Sequence, residues 1–146
     1  MEQSRDIEDD LRAWFEEWGG YVRACDFESA RPLFRADVAG FGTHMRIVHG
    51  LEHLERDQWR NVWPTIEDFQ FLTDALEVGA SNDGLLAWAI VAWTSTGYGE
   101  DGTPFERPGR ATVIFAREHW NEPWEAIHTH FSLAPGTPQR SFGRPS

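Results

Sequence analysis

The sequence has no lysine, one cysteine and no long apolar run, and each of these absences argues against a class of protein. All 13 basic residues are arginine and stand against 24 acidic residues, so the formal net charge is −11. Nucleic acids and anionic membrane surfaces both need a basic face, which makes them poor partners for so acidic a chain. The single Cys25 has no partner for an intramolecular disulfide. No segment approaches the roughly twenty apolar residues of a membrane-spanning helix.

Aromatic residues are abundant instead. They make up 14% of the chain, with eight tryptophans among 146 residues, and they supply a large apolar surface to bury. A chain of this length fits one domain, and folding at this size removes roughly two-thirds of the unfolded surface from water. We expect the domain to span residues 1–135, followed by a loose tail over 136–146. The acidic first residues lack an apolar core, so a cytoplasmic protein is expected.

The spacing of apolar residues predicts three helices. The first covers residues 4–25, where apolar side chains recur every three to four positions. A short second helix is expected over 27–36. The third covers 51–63 and ends at Pro64, with Gln58, Trp59 and Trp63 on its inner stripe.

The remaining segments predict strands. One lies within 37–50, before the third helix, and four follow it over 67–79, 85–99, 110–120 and 124–135. Short turn sequences between them favour antiparallel hairpins. The order predicts an α+β domain in which an antiparallel sheet carries three helices packed on one face.

The last predicted strand carries the clearest chemical pattern. Regular alternation would place Trp124, Ala126, His128, His130 and Ser132 on one side. If that side lines a pocket, either histidine could act as a general base or acid near neutral pH, and the serine could hold a ligand oxygen. The alternative is a polar core in which the two imidazoles contact no ligand.

The neighbouring strand adds Arg110 and Thr112 as further candidates. An inward Arg110 could bind a carboxylate or a developing oxyanion. The alternative is an internal ion pair of Arg110 with Glu106 or Asp37.

A metal site is the third interpretation of the histidine pair. His-x-His on one strand face is a spacing that metal ions use, but a site needs three or four ligands. His44, His49, His53 and Asp37 are candidates by residue type, and nothing in the sequence sets their distances. We therefore predict no metal and no other cofactor.

Four tryptophans were assigned by their place in the pattern. Trp59 and Trp63 are expected to line the pocket, and Trp88 or Trp93 to face a second subunit, with Trp88 also a candidate ligand contact. The central strand is apolar on both faces, so something must cover the face away from the helices. A second copy of the same sheet is the simplest cover, which predicts a homodimer.

Several motifs resemble one superfamily. The last strand contains Trp124, Ile127, His128, His130, Ser132 and Pro135, and "FGT" stands at 41–43, a glycine at 50 and "DGTP" at 101–104. Together with the element order, these resemble the NTF2-like superfamily. That superfamily includes SnoaL-like and ketosteroid-isomerase-like proteins and the association domain of calcium/calmodulin-dependent protein kinase II. The resemblance implies a strongly curved antiparallel sheet that wraps into a cone around a pocket.

The resemblance implies several activities and does not select one. Members include isomerases, dehydratases, hydrolases and non-enzymatic oligomerisation modules. The first expectation is a cofactor-independent enzyme that moves a proton on a small organic substrate, with His130 or His128 as the shuttle. Ser132, Thr112 and Arg110 would orient that substrate; Thr43 of the "FGT" motif and Tyr21, where isomerase-like members place a phenol, are further candidate contacts. The alternative is a non-catalytic module that binds a small carboxylate or only oligomerises.

Overall fold

The computed structural model describes residues 2–43 and 46–145, with side chains from residue 7 onward. Helix α1 spans Glu2–Ala24, and the predicted stripe forms its buried side: Ile7, Leu11, Trp14, Phe15, Trp18 and Val22. Within the described ranges, no helix is both long enough and apolar enough to cross a membrane.

Helix α2 is shorter than predicted. It covers Phe27–Ala30 and begins where the Asp26 carboxylate accepts a hydrogen bond from the Ser29 N–H at 3.1 Å. A 3-10 turn over Arg31–Leu33 follows. Phe34 already has an extended backbone and begins the first strand. Its side chain is buried in the core, and its backbone pairs with the last strand.

Helix α3 (residues 51–65) begins after Gly50, whose φ of +92° suits a residue without a Cβ. It is α-helical over Leu51–Leu54, makes a π turn over Glu55–Trp59, returns to α over Arg60–Val62 and ends in a 3-10 turn over Trp63–Thr65. The π turn adds a residue to the usual spacing, and both Trp59 and Trp63 are buried.

One mixed, mostly antiparallel sheet contains all eight described strands. Their order is β2-β1-β8-β7-β5-β3, and β4 and β6 also pair with β5. The prediction of a purely antiparallel sheet is wrong at one pair, since β1 runs parallel to β8; the cone curvature stays a prediction. The predicted strand over 67–79 is two strands, separated by a 3-10 turn. The strands are β1 Phe34–Phe41, β2 Val48–His49, β3 Glu67–Phe71, β4 Glu77–Ala80, β5 Leu86–Tyr98, β6 Pro104–Glu106, β7 Gly109–Ala116 and β8 Glu125–Leu133.

The side chains of the long strand β5 alternate between the two faces of the sheet. Alternate residues from Ala87 to Trp93 are buried under the helices on what we call the inner face. The residues between them lie on the outer face, where Leu86, Trp88 and Ile90 are 47%, 45% and 42% exposed. The apolar core therefore lies between the helices and the inner face.

A β-bulge at Ile127 changes which residues of β8 face the core. Phe115 of β7 pairs with Ala126, but the next residue, Ile114, pairs with His128, so Ile127 is the extra residue. Before the bulge, Ala126 is buried; after it, Thr129 is buried instead. The prediction that Ala126 and His128 share a face is therefore wrong.

The C-terminal segment, which the sequence predicts to be loose, packs against the domain. Ser141 is buried, accepts a hydrogen bond from the Tyr98 N–H at 2.9 Å and donates to the Thr65 carbonyl. The Phe142 N–H donates to the Tyr98 carbonyl at 2.8 Å. The segment therefore crosses one end of the sheet, beside the end of helix α3.

Candidate functional site

The helices and the inner face enclose a cavity of about 40 Å³, which we call the inner cavity. A cavity needs a volume of roughly 10–15 Å³ to hold one water molecule. The inner cavity therefore has room for only a few atoms. Its aromatic wall consists of Trp18, Trp59, Trp63, Phe69, Trp93 and Phe131. Its polar wall consists of Thr43, Gln58, Arg107 and Thr129.

Arg107 is the charged group of the inner cavity and is only 3% exposed. Its Nη2 donates to Thr43 Oγ1 at 3.2 Å and to the Gln139 carbonyl at 2.8 Å. Its Nε is buried and has no hydrogen-bond partner in the described part of the chain. Burial lowers the pKa of Arg107 to about 10, with no neighbouring carboxylate acting against that shift. The guanidinium is thus a desolvated cation without a counter-ion among the described residues.

The backbone of Arg107 is held firmly in place. Its N–H donates to the Ser95 carbonyl at 2.9 Å, and its own carbonyl accepts from Ser95 Oγ at 2.8 Å. The guanidinium carbon lies 6.0 Å from the centre of the Trp93 ring. Because these hydrogen bonds fix the backbone just before β7, the Arg107 side chain reaches the cavity with few alternative conformations.

Three more buried polar atoms of the cavity wall have no partner among the described residues: Trp18 Nε1, Gln58 Oε1 and Trp93 Nε1. Buried polar groups are normally hydrogen-bonded, and an unmet one reduces the stability of the fold. Two glycines make room for the Gln58 and Trp93 side chains. A Cβ at Gly42 would overlap the Gln58 amide, and one at Gly109 would overlap the Trp93 ring.

The predicted pocket residues Trp59 and Trp63 lie on the wall of the inner cavity. Their rings stack with centroids 4.7 Å apart and planes 18° apart, and Trp63 stacks in turn on Phe27 at 5.1 Å. Thr43 also lies on this wall. Whether these side chains contact a ligand stays a prediction.

The structure places His128, His130 and Ser132 on the outer face. This contradicts the prediction that their side chains face the pocket. Because of the Ile127 bulge, Thr129 and Phe131 take the places on the cavity wall. His128 Nδ1 lies 2.9 Å from the Ala39 carbonyl, which makes that nitrogen the donor. The His130 ring lies 4.2 Å from the Phe41 ring. Burial lowers the pKa of His130, and the charges of His128 and Arg110 lower it further.

Arg110, Thr112 and Trp88 also face away from the inner cavity. In the register of the sheet, Arg110 pairs with Ser132 of β8 and Thr112 pairs with His130. Arg110 is exposed, and no ion pair joins it to Glu106, Asp37 or any other described acid. Trp93, the other tryptophan considered for a subunit contact, is 1% exposed and lies on the cavity wall.

Tyr21 does not reach the inner cavity. Its hydroxyl donates to Glu17 Oε2 at 2.8 Å, one turn earlier on helix α1. That hydrogen bond raises the pKa of the Tyr21 phenol. Tyr21 is therefore not part of the wall of the inner cavity, and its contact with a ligand stays a prediction.

The described residues contain no group of three or more His, Cys, Asp or Glu side chains placed to hold a metal ion. His49 lies on the outer face beside Ala39, and His53 lies beside Arg56 on the exposed side of helix α3. His44, the remaining candidate ligand, lies outside the described residues.

Comparison with known proteins gives a family. The model of the SnoaL-like domain matches residues 11–136. The chain belongs to the SnoaL-like domain family. No curated protein matches the chain significantly in sequence.

Solved structures show that this SnoaL-like domain has the NTF2-like fold. An NTF2-like superfamily protein from Salmonella enterica is 16% identical with a TM-score of 0.73, over 98% of this chain and 99% of that one. An NTF2-like protein of unknown function from Pseudomonas putida is 22% identical with a TM-score of 0.71, over 97% and 98%. The association domain of C. elegans CaMKII is 13% identical with a TM-score of 0.66, over 90% and 98%. At these identities the likeness shows the fold alone.

The sequence interpretation missed Arg107, Thr129 and Phe131. Arg107 lies between two prolines, in a segment that was interpreted as a connection. One signal was present: an arginine just before a strand of small and apolar residues has few ways to stay solvated. Thr129 and Phe131 were missed because a bulge in β8 cannot be recognised from alternation.

Proposed function

We propose that this SnoaL-like domain binds a small carboxylate, or a similar oxyanion, in the inner cavity. The observation that carries this proposal is the buried guanidinium of Arg107. Arginine is almost never fully buried unless it is paired, and here the described residues supply no acid to pair with it. A bound carboxylate would supply that missing charge and accept hydrogen bonds from Nε and from Nη2.

The unmet polar atoms support a ligand of mixed character. Arg107 Nε, Trp18 Nε1 and Trp93 Nε1 are donors, and Gln58 Oε1 is an acceptor. A carboxylate would accept from Arg107 Nε and from an indole N–H, and a ligand hydroxyl or amide would donate to Gln58. The aromatic wall would pack against an apolar part of the ligand.

The cavity wall favours binding without turnover. Apart from Arg107, its described lining has no group that titrates between pH 4 and 11: no carboxylate, imidazole, thiol or phenol. A general base must lie within hydrogen-bond reach of the proton that it removes, and His128 and His130 lie on the other face. The binding module, which the sequence left as the alternative, is therefore the better-supported function.

A ligand would enter from the side of the C-terminal segment. A pocket of about 600 Å³ lies there between helix α3 and this segment, and Arg107 forms part of its wall as well as of the inner cavity. The Gln139 carbonyl now occupies one donor of Arg107. An arriving carboxylate would displace this carbonyl, and ligands larger than acetate would require the segment to move.

The test is a calorimetric titration with acetate and benzoate, each compared with its neutral amide. Wild-type protein should bind the carboxylates and not the amides. Arg107→Gln should weaken binding about ten- to a hundredfold, because a hydrogen bond to a charged group contributes roughly 1.5–3 kcal/mol. Arg110→Gln is the matched control, since Arg110 is exposed on the outer face, and it should bind as wild type does. Equal affinity in Arg107→Gln and wild type would refute the proposal, provided that circular dichroism shows both folded.

We also propose that a second copy of the chain covers the outer face. Leu86, Trp88 and Ile90 leave an exposed apolar patch there, and exposed patches of this kind are typical of interaction sites. Of the outward residues of β5, β7 and β8, only Glu125 is acidic, and it forms an ion pair with Arg35 at 3.7 Å, although the chain as a whole carries a net charge of −11. Two copies could therefore meet on this face without the repulsion that other faces would produce.

A further inference from the structure

A groove on the far side of helix α1 has a chemistry quite different from that of the inner cavity. We call it the α1 groove; its volume is about 940 Å³. One wall is helix α1, and the other is the connection between β7 and β8. Trp14 and Trp124 form much of its floor, and Trp120 stands at its edge with 69% of its surface exposed.

Three carboxylates surround this aromatic groove: Asp10, Glu17 and Glu122. No arginine forms an ion pair with any of them in the described part of the chain, although Arg12 on the same helix pairs with Glu8 and Asp9. Glu17 accepts the hydrogen bond of the Tyr21 hydroxyl, and Glu122 Oε1 lies 3.9 Å from His119 Nε2. The α1 groove is therefore bordered by carboxylates that no described arginine pairs with.

Among the described residues, Arg117 is the one cation in the lining of the groove, and it is already engaged. Arg117 is 8% exposed, and its Nε donates to the Gly84 carbonyl at 2.8 Å. Its Nη1 donates to the Glu122 carbonyl at 3.4 Å, and its guanidinium carbon lies 3.9 Å from the centre of the Trp124 ring. Arg117 thus supports the floor of the groove; it interacts electrostatically with Asp10 but forms no ion pair with the rim.

The spacing of the acids sets the size of the occupant. Asp10 and Glu17 are seven residues apart, two helical turns, so they lie on one side of helix α1 about 10 Å apart at 1.5 Å per residue. A single ammonium or guanidinium group cannot contact both. On a peptide in the polyproline II conformation, with three residues per turn and 3.1 Å per residue, two cationic side chains three residues apart lie on one side about 9 Å apart.

We propose that the α1 groove binds a basic peptide segment of a partner protein, with two cationic side chains three residues apart and apolar side chains between them. The cations pair with the carboxylates on the rim, and one of them stacks on the exposed Trp120 ring. The apolar side chains lie against Trp14 and Trp124. This site is independent of the inner cavity and of its proposed ligand.

The test is fluorescence anisotropy with a labelled probe peptide, Gly-Arg-Leu-Leu-Arg-Gly, titrated with the full chain. Two comparison peptides replace both arginines by Glu or both leucines by Ser. The first variant, Asp10→Asn with Glu17→Gln and Glu122→Gln, should weaken binding about tenfold, because the ion pairs of the two peptide arginines, up to about 1 kcal/mol each, are lost. Trp120→Ala should also weaken binding and, because Trp120 is exposed, should leave the fold intact.

The control variant carries Glu77→Gln, Glu100→Gln and Glu106→Gln, which change the net charge equally at exposed sites outside the groove. It should bind the probe as wild type does. Equal weakening in the two triple variants, full binding of the Ser peptide, or no effect of Trp120→Ala would each overturn the proposal. Agmatine binding as tightly as the probe would also overturn it, in favour of a small organic cation.

Discussion

Glu55 is the buried acid that ties helix α3 to the segment before β1. Its carboxylate accepts from Arg31 Nε at 2.6 Å and Nη2 at 3.0 Å, and from Arg60 Nη2 at 2.7 Å. The Arg60 guanidinium carbon also lies 4.4 Å from the centre of the Phe27 ring. Since Glu55 opens the π turn that carries Gln58, this cluster positions one wall of the inner cavity.

Replacing Glu55 by Gln should lower the free energy of unfolding at neutral pH by about 1–2 kcal/mol. Its two partners would lose their counter-ion, but they are 46% and 51% exposed, so water compensates for part of the loss. Urea denaturation measures the difference, and Glu52→Gln, exposed on the same helix, is the control.

The difference should depend on pH. Hydrogen bonds from Arg31 and Arg60 lower the pKa of Glu55 in the fold. A lowered carboxyl pKa stabilises the fold fully above the unfolded-state value, near 4.3, and this stabilisation is lost as the pH falls through the folded-state value. Wild type and Glu55→Gln should therefore converge in strongly acidic buffer. A difference that stays constant over this range would show that packing, and not charge, is responsible.

For individual residues, the direction of a side chain could be predicted where a local periodic pattern determines it. Helical spacing was enough to point Trp59 and Trp63 inward, because a helix buries one stripe whatever the partner is. The directions of His128 and His130 could not be predicted, since they depend on a single extra residue in β8. Arg107 could not be recognised as a site residue, because its burial arises from contacts with Ser95 and Gln139 that are distant in sequence.

The C-terminal segment is the element that covers Arg107 at the edge of the inner cavity. Ser141 anchors it through Tyr98 and Thr65, and the Gln139 carbonyl caps Arg107. An ion pair of Arg144 with Glu67 at 3.4 Å adds little, because Arg144 is 73% exposed.

Replacing Ser141 by Ala should loosen this element. The Tyr98 N–H and the Thr65 carbonyl would each lose a partner, which should lower the free energy of unfolding by about 1–3 kcal/mol. If the segment limits entry, the benzoate association rate should rise in stopped-flow measurements of tryptophan fluorescence. Gln139→Ala is the control, because it keeps the carbonyl that Arg107 uses. An unchanged association rate in Ser141→Ala would show that the ligand enters elsewhere.

Among the elements, length and existence were easier to predict than pairing. Helix α1 and the strands β5, β7 and β8 were expected close to their observed positions, because each carries a long periodic pattern. The parallel pair of β1 and β8 joins residues nearly 90 positions apart, and no local signal marks such a contact. Helix α2 was predicted too long because Phe34 suits a helix and a strand equally well.

At the scale of the whole molecule, the proposed dimer leads to a solution measurement. Trp88→Glu would place a charge in the middle of the exposed patch on the outer face, and two copies would then bring two such charges together. We expect wild type to sediment as a dimer and Trp88→Glu as a folded monomer in analytical ultracentrifugation.

Leu72→Glu is the control for that measurement. Leu72 is 42% exposed, similar to Trp88, but it lies beyond the end of β3 and outside the patch. It should leave the dimer intact. A wild-type monomer at all concentrations, or dissociation of both variants, would contradict the proposed interface.

The fold class could be predicted from the sequence, since element order and motif letters together pointed to the NTF2-like superfamily. The family match confirms the SnoaL-like resemblance, and the structural matches confirm the NTF2-like fold. The candidate site could not be predicted to the same degree. Fold depends on many residues whose errors average out, whereas a site depends on the direction of three or four side chains.

The extra residue at Ile127 has a wider consequence for the family. Without it, regular alternation would put His128 and His130 on the same side as Ala126 and give the interior two proton carriers. With it, the same letters give the interior a hydroxyl and a phenyl ring. Two proteins with the same residues in this strand can therefore differ in whether imidazoles, or a hydroxyl and a phenyl ring, face the interior. The pairing register of the strand distinguishes them better than the sequence motif does.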